Sequence, residues 1–368
     1  MGTLPIPAGP EDLTPQWLTD ALRAGGALDG ARVRSARCEV AGRGMGFIGQ
    51  IVRVALEYQG EAPGAPASLI AKLSSPSEGA RTIAALYGLY EREVRFYQEL
   101  ARDVGMRVPT CYYSDVDPAS AAQVLLLEDV SSLGHVGDQV RGCTAAEAAP
   151  VLRELGRFQA GWWASPRLEG IPWLPAGTDL VNGAMHLAYP GAWPRFLELF
   201  GGQLPAALRE ALPGLGPRLV AALAGFADRP LTLLHGDFRL DNLVLCHPGS
   251  THVVAVMDWQ SPNRGWGIYD AAYFLSGGLE PAERRAEERA LLREYHDALT
   301  AGGVRGYSWE QCWEDYPLAL LICLAIGVVN SATLEMANDR AVQLFRAGLD
   351  RLAAAVTDRR ALEVLPAG

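Results

Sequence analysis

The order of apolar and polar positions divides this chain into a strand-rich first part and a helical remainder. Residues 11–24 carry helical spacing, with Thr14 as the expected cap, Pro15 in the first turn and Gly25-Gly26 as the stop. A strand, a glycine-rich turn over 42–49 and an alternating strand follow across 37–58. A third strand is predicted at 67–73, a long helix at 83–104, and two more strands at 110–114 and 123–127. From Thr144 the period changes to that of helices. Thr144 with Glu147 fits a capping box, and an amphipathic stretch runs over 149–163. Residues 165–192, rich in Pro, Gly and Trp, predict an irregular connection, followed by helices at 193–200 and 205–226. The C-terminal third predicts helices at 281–301, 309–334 and 336–357. Its clean apolar run, 318–329, is shorter than a bilayer span and predicts a buried helix.

Between these helices lies the stretch with the most chemistry. Leu233-Leu234-His235-Gly236-Asp237 predicts a short apolar strand entering a polar loop, and Asn242 falls five positions after Asp237. A second strand begins at Leu243. A third, 253–257, ends on Asp258-Trp259-Gln260. Asp237, Asn242 and Asp258 are thus oxygen-bearing side chains delivered at neighbouring strand ends. Such a set suits a hard divalent cation held beside a base.

Composition narrows the classes. The 368 residues suffice for two domains or one two-lobed domain, and 49% hydrophobic content allows a sizeable core. Formal net charge is −10 without a basic block, which argues against nucleic acid or an anionic membrane as partner. The six cysteines are scattered, with no C-x-x-C pair, as expected of reduced thiols in a cytoplasm, and the N-terminus lacks the pattern of a signal peptide. Lys72 is the only lysine among 32 basic residues. A lysine retained against such an arginine bias points to a place where a compact ammonium is needed and a planar guanidinium will not fit. The alternative is chance retention on a surface strand.

His235-Gly236-Asp237 with Asn242, followed by Asp258, resembles the catalytic and metal loops of the aminoglycoside phosphotransferase family, which shares the protein-kinase-like fold. The Asp258-Trp259-Gln260 ending, with Gly267, Asp270, Ala271 and Tyr273-Phe274-Leu275 beyond it, is most similar to the ecdysteroid-kinase-like branch. The resemblance spans roughly residues 35 to 330. It implies an α+β fold of two lobes: a small antiparallel-sheet N-lobe (1–130) and a large, mainly helical C-lobe (131–368). It implies Asp237 as catalytic base and Asn242 and Asp258 as magnesium ligands. It places Lys72 where kinase-like folds pair the nucleotide phosphates, held by Glu93, with Glu91 as the fallback. Gly44, Met45 and Gly46, in the glycine-rich turn, would lay amides over the phosphates, although a plain hairpin loop is equally common. Backbone groups from Glu128 to Val130 would read the adenine edge at the hinge.

Eleven residues separate Asp258 from Asp270, too few for the activation segment of a protein kinase. The expected acceptor is therefore a small molecule. Asp270 is expected to cap the helix over 271–276 and brace the loop, and His235 to fix the loop by hydrogen bonding. Trp266, Tyr273, Trp309, Trp313 and Tyr316 are candidates for lining an acceptor pocket, with a core role as the alternative. The overall expectation is an ATP- and Mg2+-dependent kinase acting on a small-molecule alcohol, steroid-like or natural-product in kind by resemblance to the ecdysteroid-kinase-like branch. An antibiotic phosphotransferase is the alternative, and a non-catalytic nucleotide- or ligand-binding protein a further one. A zinc hydrolase built on His235, His247 and His252 fits poorly, because His247 lies at the far end of its strand from Asp237. No P-loop is present.

Overall fold

In the computed structural model, which describes residues 4–41, 49–225, 228–332 and 338–366, the chain forms two compact units. The first comprises residues 1–134 and 255–261, and the second 135–254 and 262–368. The antiparallel sheet with a helical remainder is the α+β arrangement expected of a kinase-like fold.

The first unit opens with α1 (Pro15–Ala24), whose Thr14 cap accepts the Trp17 N–H at 3.2 Å. Five strands follow: β1 (Arg32–Ala41), β2 (Gly49–Gln59), β3 (Ser68–Ser74), β4 (Cys111–Asp117) and β5 (Ala122–Glu128). They form one antiparallel sheet in the order β1-β2-β3-β5-β4. α1 packs on this sheet through Trp17, Leu18, Ala21 and Leu22, over Val52, Val54, Leu69 and Ala71. The single helix expected at 83–104 is instead α2 (Glu78–Leu86), a break at Gly88, α3 (Leu89–Arg95) and a π-helical turn at Phe96–Leu100. Gly88 has φ +61°, a left-handed conformation that ends one helix and lets the next start in a new direction.

The second unit contains β6 (Gly134–Val136), α4 (Ala145–Trp162), α5 (Gly177–Gly183), α6 (Tyr189–Phe200) and α7 (Ala206–Ala224). The capping box forms at α4: Thr144 Oγ1 accepts the Glu147 N–H, and the Glu147 carboxylate accepts the Thr144 N–H at 2.8 Å. The stretch 165–192 is more regular than expected, because α5 and the start of α6 fall within it. While β9 (Val254–Val256) falls mainly in the 255–261 segment of the first unit, the second also has the short strands β7 (Thr232–Leu234), β8 (Leu243–Cys246) and β10 (Asn263–Gly265). β10 was not anticipated from sequence; Asn263-Arg264-Gly265, between a proline and a tryptophan, carries no strand pattern, and pairing with β7 supplies it. The helices α8 (Ile268–Gly278), α9 (Pro281–Ala301), α10 (Trp309–Ser331) and α11 (Asp339–Asp358) complete the unit. α10 corrects the length argument: at 23 residues it is long and apolar enough to cross a membrane. Burial decides its role, since 72% of its most apolar window is covered within the fold.

Candidate active site

In the first unit, Lys72 sits mid-strand on β3, opposite Ile51 of β2 and Leu125 of β5. Its Nζ lies 2.5 Å from Glu93 Oε1 and 2.8 Å from Asp258 Oδ1. Of the two glutamates considered, Glu93 therefore meets the lysine. Glu91 lies 2.7 Å from Arg95 Nε instead, an i,i+4 pair on the outer face of α3. Lys72 and Glu93 are both buried. Burial works to lower the Lys72 ammonium, but Asp258 and Glu93 overcome it and hold the group above the ordinary lysine range. Burial pushes Glu93 upward, and Lys72 opposes this only in part. The two directions compete for one proton. The short contact, with a second carboxylate on the same ammonium, is the geometry of an ion pair.

Asp258 reaches Lys72 through a tight turn. Ala255 bridges Arg107, and the Val256 N–H donates to the Arg107 carbonyl at 2.8 Å. Trp259 then stacks face to face on Phe96, with ring centroids 4.0 Å apart, and its indole N–H returns to the Val256 carbonyl. Between these anchors Asp258 adopts φ +62°, which aspartate tolerates better than most residues.

At the expected hinge, the Glu128 N–H already donates to the Thr110 carbonyl, and its carboxylate takes Arg107 and the Thr110 N–H. That one backbone donor is therefore engaged within the sheet. The Val130 carbonyl likewise accepts from the Leu133 N–H. Gly44, Met45 and Gly46 lie outside the described residues.

In the second unit, β7 is fully buried and delivers His235-Gly236-Asp237 at its end. Gly236 has φ +82°, a turn that a Cβ would strain. Asp270, buried in the first turn of α8, accepts the His235 N–H at 2.8 Å and the Gly236 N–H at 3.0 Å. It braces the loop as expected but does not cap its helix, whose N-cap is Gly267. Burial pushes Asp270 up to about 7, against the two backbone donors. Gln159 steadies it from α4, and the Tyr295 hydroxyl donates to Gln159 at 2.6 Å. The His235 imidazole is fully buried, and its Nδ1 accepts the Asp237 N–H at 3.2 Å, so it fixes the loop rather than acting as a base.

Asp237 is half-buried. Its Oδ2 accepts from Asn242 Nδ2 at 2.9 Å and from Arg239 Nε at 3.2 Å. Tyr273 also hydrogen-bonds Asp237, and burial followed by that carboxylate's charge holds the phenol well above its ordinary value. Burial opposes the Arg239 guanidinium, while Asp237, Tyr273 and Asp241 keep it charged. Tyr273 was weighed only as pocket lining, and Arg239 was passed over as one arginine in an arginine-rich chain. The D-x-R spacing was the signal available. Asn242 Nδ2 also donates to the Asp237 carbonyl, which turns its Oδ1 away as the remaining acceptor. Among the described residues no group of three His, Cys, Asp or Glu side chains forms a metal cluster. The Asp258 carboxylate and the Asn242 amide oxygen are each hard donors of the kind magnesium takes.

The candidate aromatics separate. Trp309, Trp313 and Tyr316 stack in a ladder along α10, and Arg289, Arg293 and Arg359 cover the two tryptophans at 3.7–5.5 Å. These three bind helices to one another, which corrects their candidacy as pocket lining. Trp266 instead borders a small, mainly apolar cleft with Ile268, Tyr269, Asp315, Leu318, Ala319 and Ile322. Tyr269 stacks on Tyr273, the partner of Asp237, at 6.0 Å.

Comparison with known proteins agrees with this arrangement. A segment of the chain is 39% identical over 82 residues to acyl-CoA dehydrogenase family member 10 of Mus musculus, covering 22% of this chain but only 8% of that relative's length. The choline kinase of Cryptosporidium parvum superposes with a TM-score of 0.55 over 93% of this chain and 97% of its own, at 10% identity. The amicoumacin kinase hAmiN, solved in complex with AMP-PNP, Ca2+ and Ami, gives 0.53 over 86% of this chain and 87% of its own, at 13% identity. At such identities the likeness is one of fold. The model of the phosphotransferase enzyme family matches residues 59–308, across β3, α3 and both polar loops, and the chain accordingly belongs to that kinase-like family.

Proposed function

We propose that this phosphotransferase moves the γ-phosphoryl group of ATP to a hydroxyl of a small, weakly charged molecule. The observation that carries the reading is the contact of the sole lysine, Lys72, with both Glu93 and Asp258. Lys72, oriented by Glu93, pairs the α- and β-phosphates. From the sequence alone, Gly44, Met45 and Gly46 are assigned to the phosphates. The Glu128 carbonyl and the Val130 amide face the adenine. Asn242 and Asp258 hold a divalent cation, magnesium in the cell, which when bound neutralises charge on the phosphate oxygens. Asp237 accepts the acceptor hydroxyl proton as the new O–P bond forms and the bond to the β–γ bridging oxygen breaks, releasing ADP. Positioning and charge stabilisation supply most of the acceleration. Residues 1–130 serve the nucleotide, and 131–368 carry the catalytic and metal loops and the acceptor-binding helices. The AMP-PNP and Ca2+ bound by the amicoumacin kinase, and the small alcohol named for the choline kinase, are consistent with this division of work.

The acceptor class follows from the carboxylates. A polycationic antibiotic needs several uncommitted acids around it. Here Glu280 pairs with Arg351, Glu283 takes the Ala145 N–H, Glu288 pairs with Arg284, and Asp315 with Arg229. Acids so committed favour a weakly charged alcohol, steroid-like or natural-product in kind, over an aminoglycoside. The six cysteines form no disulfide, which suits a reducing cytoplasm. The test is label transfer from γ-labelled ATP with magnesium to pooled alcohols: steroids, macrolides, aminoglycosides, nucleosides and sugars. The reading predicts label in a weakly charged pool. Label confined to the aminoglycoside pool would overturn the acceptor class while keeping the transferase.

A further inference from the structure

The loop that carries Asp237 is held from a distance by a strap and a buried arginine, neither of which belongs to the machinery described above. The strap is the turn at 138–142, closed by the Asp138 carbonyl, which accepts the Gly142 N–H. Its Gln139 is buried and faces the catalytic loop twice. The Gln139 N–H donates to Asp241 Oδ1 at 2.8 Å, and Gln139 Oε1 accepts the Leu240 N–H at 2.9 Å. The other Asp241 oxygen takes Arg239 Nη1 at 2.6 Å, and Arg239 Nε reaches Asp237. The position of Arg239, and through it that of the Asp237 carboxylate, thus depends on what holds the strap.

Arg351, on α11, holds it. This arginine is only 5% exposed. Its Nη1 donates to the Gln139 carbonyl at 2.7 Å and the Gly277 carbonyl at 3.0 Å, and its Nη2 to the Val140 carbonyl at 2.9 Å. Its Nε donates to Glu280 at 2.9 Å, which offsets the burial of the charge. One guanidinium therefore ties the strap to the end of α8 with a fork of donors that a lysine does not possess. The geometry points to Gln139 and Arg351 as positioning residues that set the Asp237 carboxylate for proton acceptance. This role rests on the reading of Asp237 as the base.

The test uses the full chain, magnesium chloride and γ-labelled ATP with water as the only phosphoryl acceptor, together with amide hydrogen exchange. Arg351→Met and Gln139→Leu are expected to speed exchange across 237–243 by about tenfold, the loss of roughly one hydrogen bond's worth of protection. ATP turnover per folded molecule should fall by on the order of ten- to 100-fold, with KM for ATP changed by no more than about twofold. Arg351→Lys should fall between Arg351→Met and the parent on both readings. Faster exchange confined to 138–142, with the 237–243 amides and turnover unchanged, would overturn the proposal and leave Arg351 a structural residue. Should Arg351→Met fail to fold, Gln139→Leu, which keeps the bond to Asp241 and removes the one to Leu240, gives the same two readings. Asp237→Asn is run alongside. Undiminished ATP turnover in that variant would remove the base assignment, while the exchange data would still decide whether the strap positions the loop.

Discussion

Lys72 shows most clearly how one side chain defines the chemistry. Its ammonium is buried, with carboxylates at 2.5 and 2.8 Å. Arginine carries the same charge on a longer, planar group, so Lys72→Arg keeps the charge and loses the placement. The expected result is a loss of turnover on the order of 100-fold, the size associated with an ångström of misplacement. A melting curve run beside the kinetics separates this from unfolding. An unimpaired variant would mean that the lone lysine is an accident of composition. At this scale the sequence was informative. Asp237, Asn242, Asp258 and Lys72 stood out by spacing or rarity, and the structure gathers Lys72 with Asp258 and Asp237 with Asn242. Gln139 and Arg351 did not stand out, because their roles come from hydrogen bonds to residues remote in sequence. Arg239 bonds Asp237 and Asp241, two positions away on either side, so only the D-x-R spacing distinguished it among many arginines.

Among the elements, boundaries set by local chemistry were legible, and those set by packing were not. Thr14 and the Thr144–Glu147 box mark helix starts through bonds to near neighbours, and both form as expected. The division of 83–104 at Gly88, the helices within 165–192 and the strand β10 depend on tertiary partners, and periodicity alone missed them. α8 depends on such a partner too. Its N-cap, Gly267, lies where a Cβ would come within 2.6 Å of both Gln159 Oε1 and the Tyr295 hydroxyl. Those two groups steady Asp270, and Asp270 braces the catalytic loop. Gly267→Ala should therefore cost about 1–3 kcal/mol of stability, the usual range for overpacking a tight site, measured by urea denaturation. A change within about 0.5 kcal/mol would show that the network yields freely.

For the whole molecule, the buried Asp270 carboxyl gives stability a pH signature. Its value rises from the unfolded range near about 4 to about 7 in the fold. The native state thus binds more protons than the unfolded chain between those values, and this group's contribution to stability is fully present below about pH 4 and lost as pH rises towards 7. Denaturation midpoints of Asp270→Asn, weaker overall because one backbone donor loses its acceptor, should lack that downward slope between pH 5 and 7. Parallel pH curves for parent and variant would place the titration elsewhere. The fold class was legible from the change of period near Thr144. The length of α10 did not fix its place, because it is long and apolar enough to cross a membrane; 72% of its most apolar window is nevertheless buried within the fold.

The account stands or falls on Asp237, so the most direct measurement compares binding and transfer in one protein. ATP affinity with magnesium is measured by calorimetry for the parent and for Asp237→Asn, and label transfer from γ-labelled ATP is followed in the same preparations with the best acceptor pool. The account predicts affinities equal within about threefold and a loss of transfer of several orders of magnitude, as befits removal of a group that acts on the reacting proton. Transfer near the parental rate, with ATP bound equally well, would contradict it.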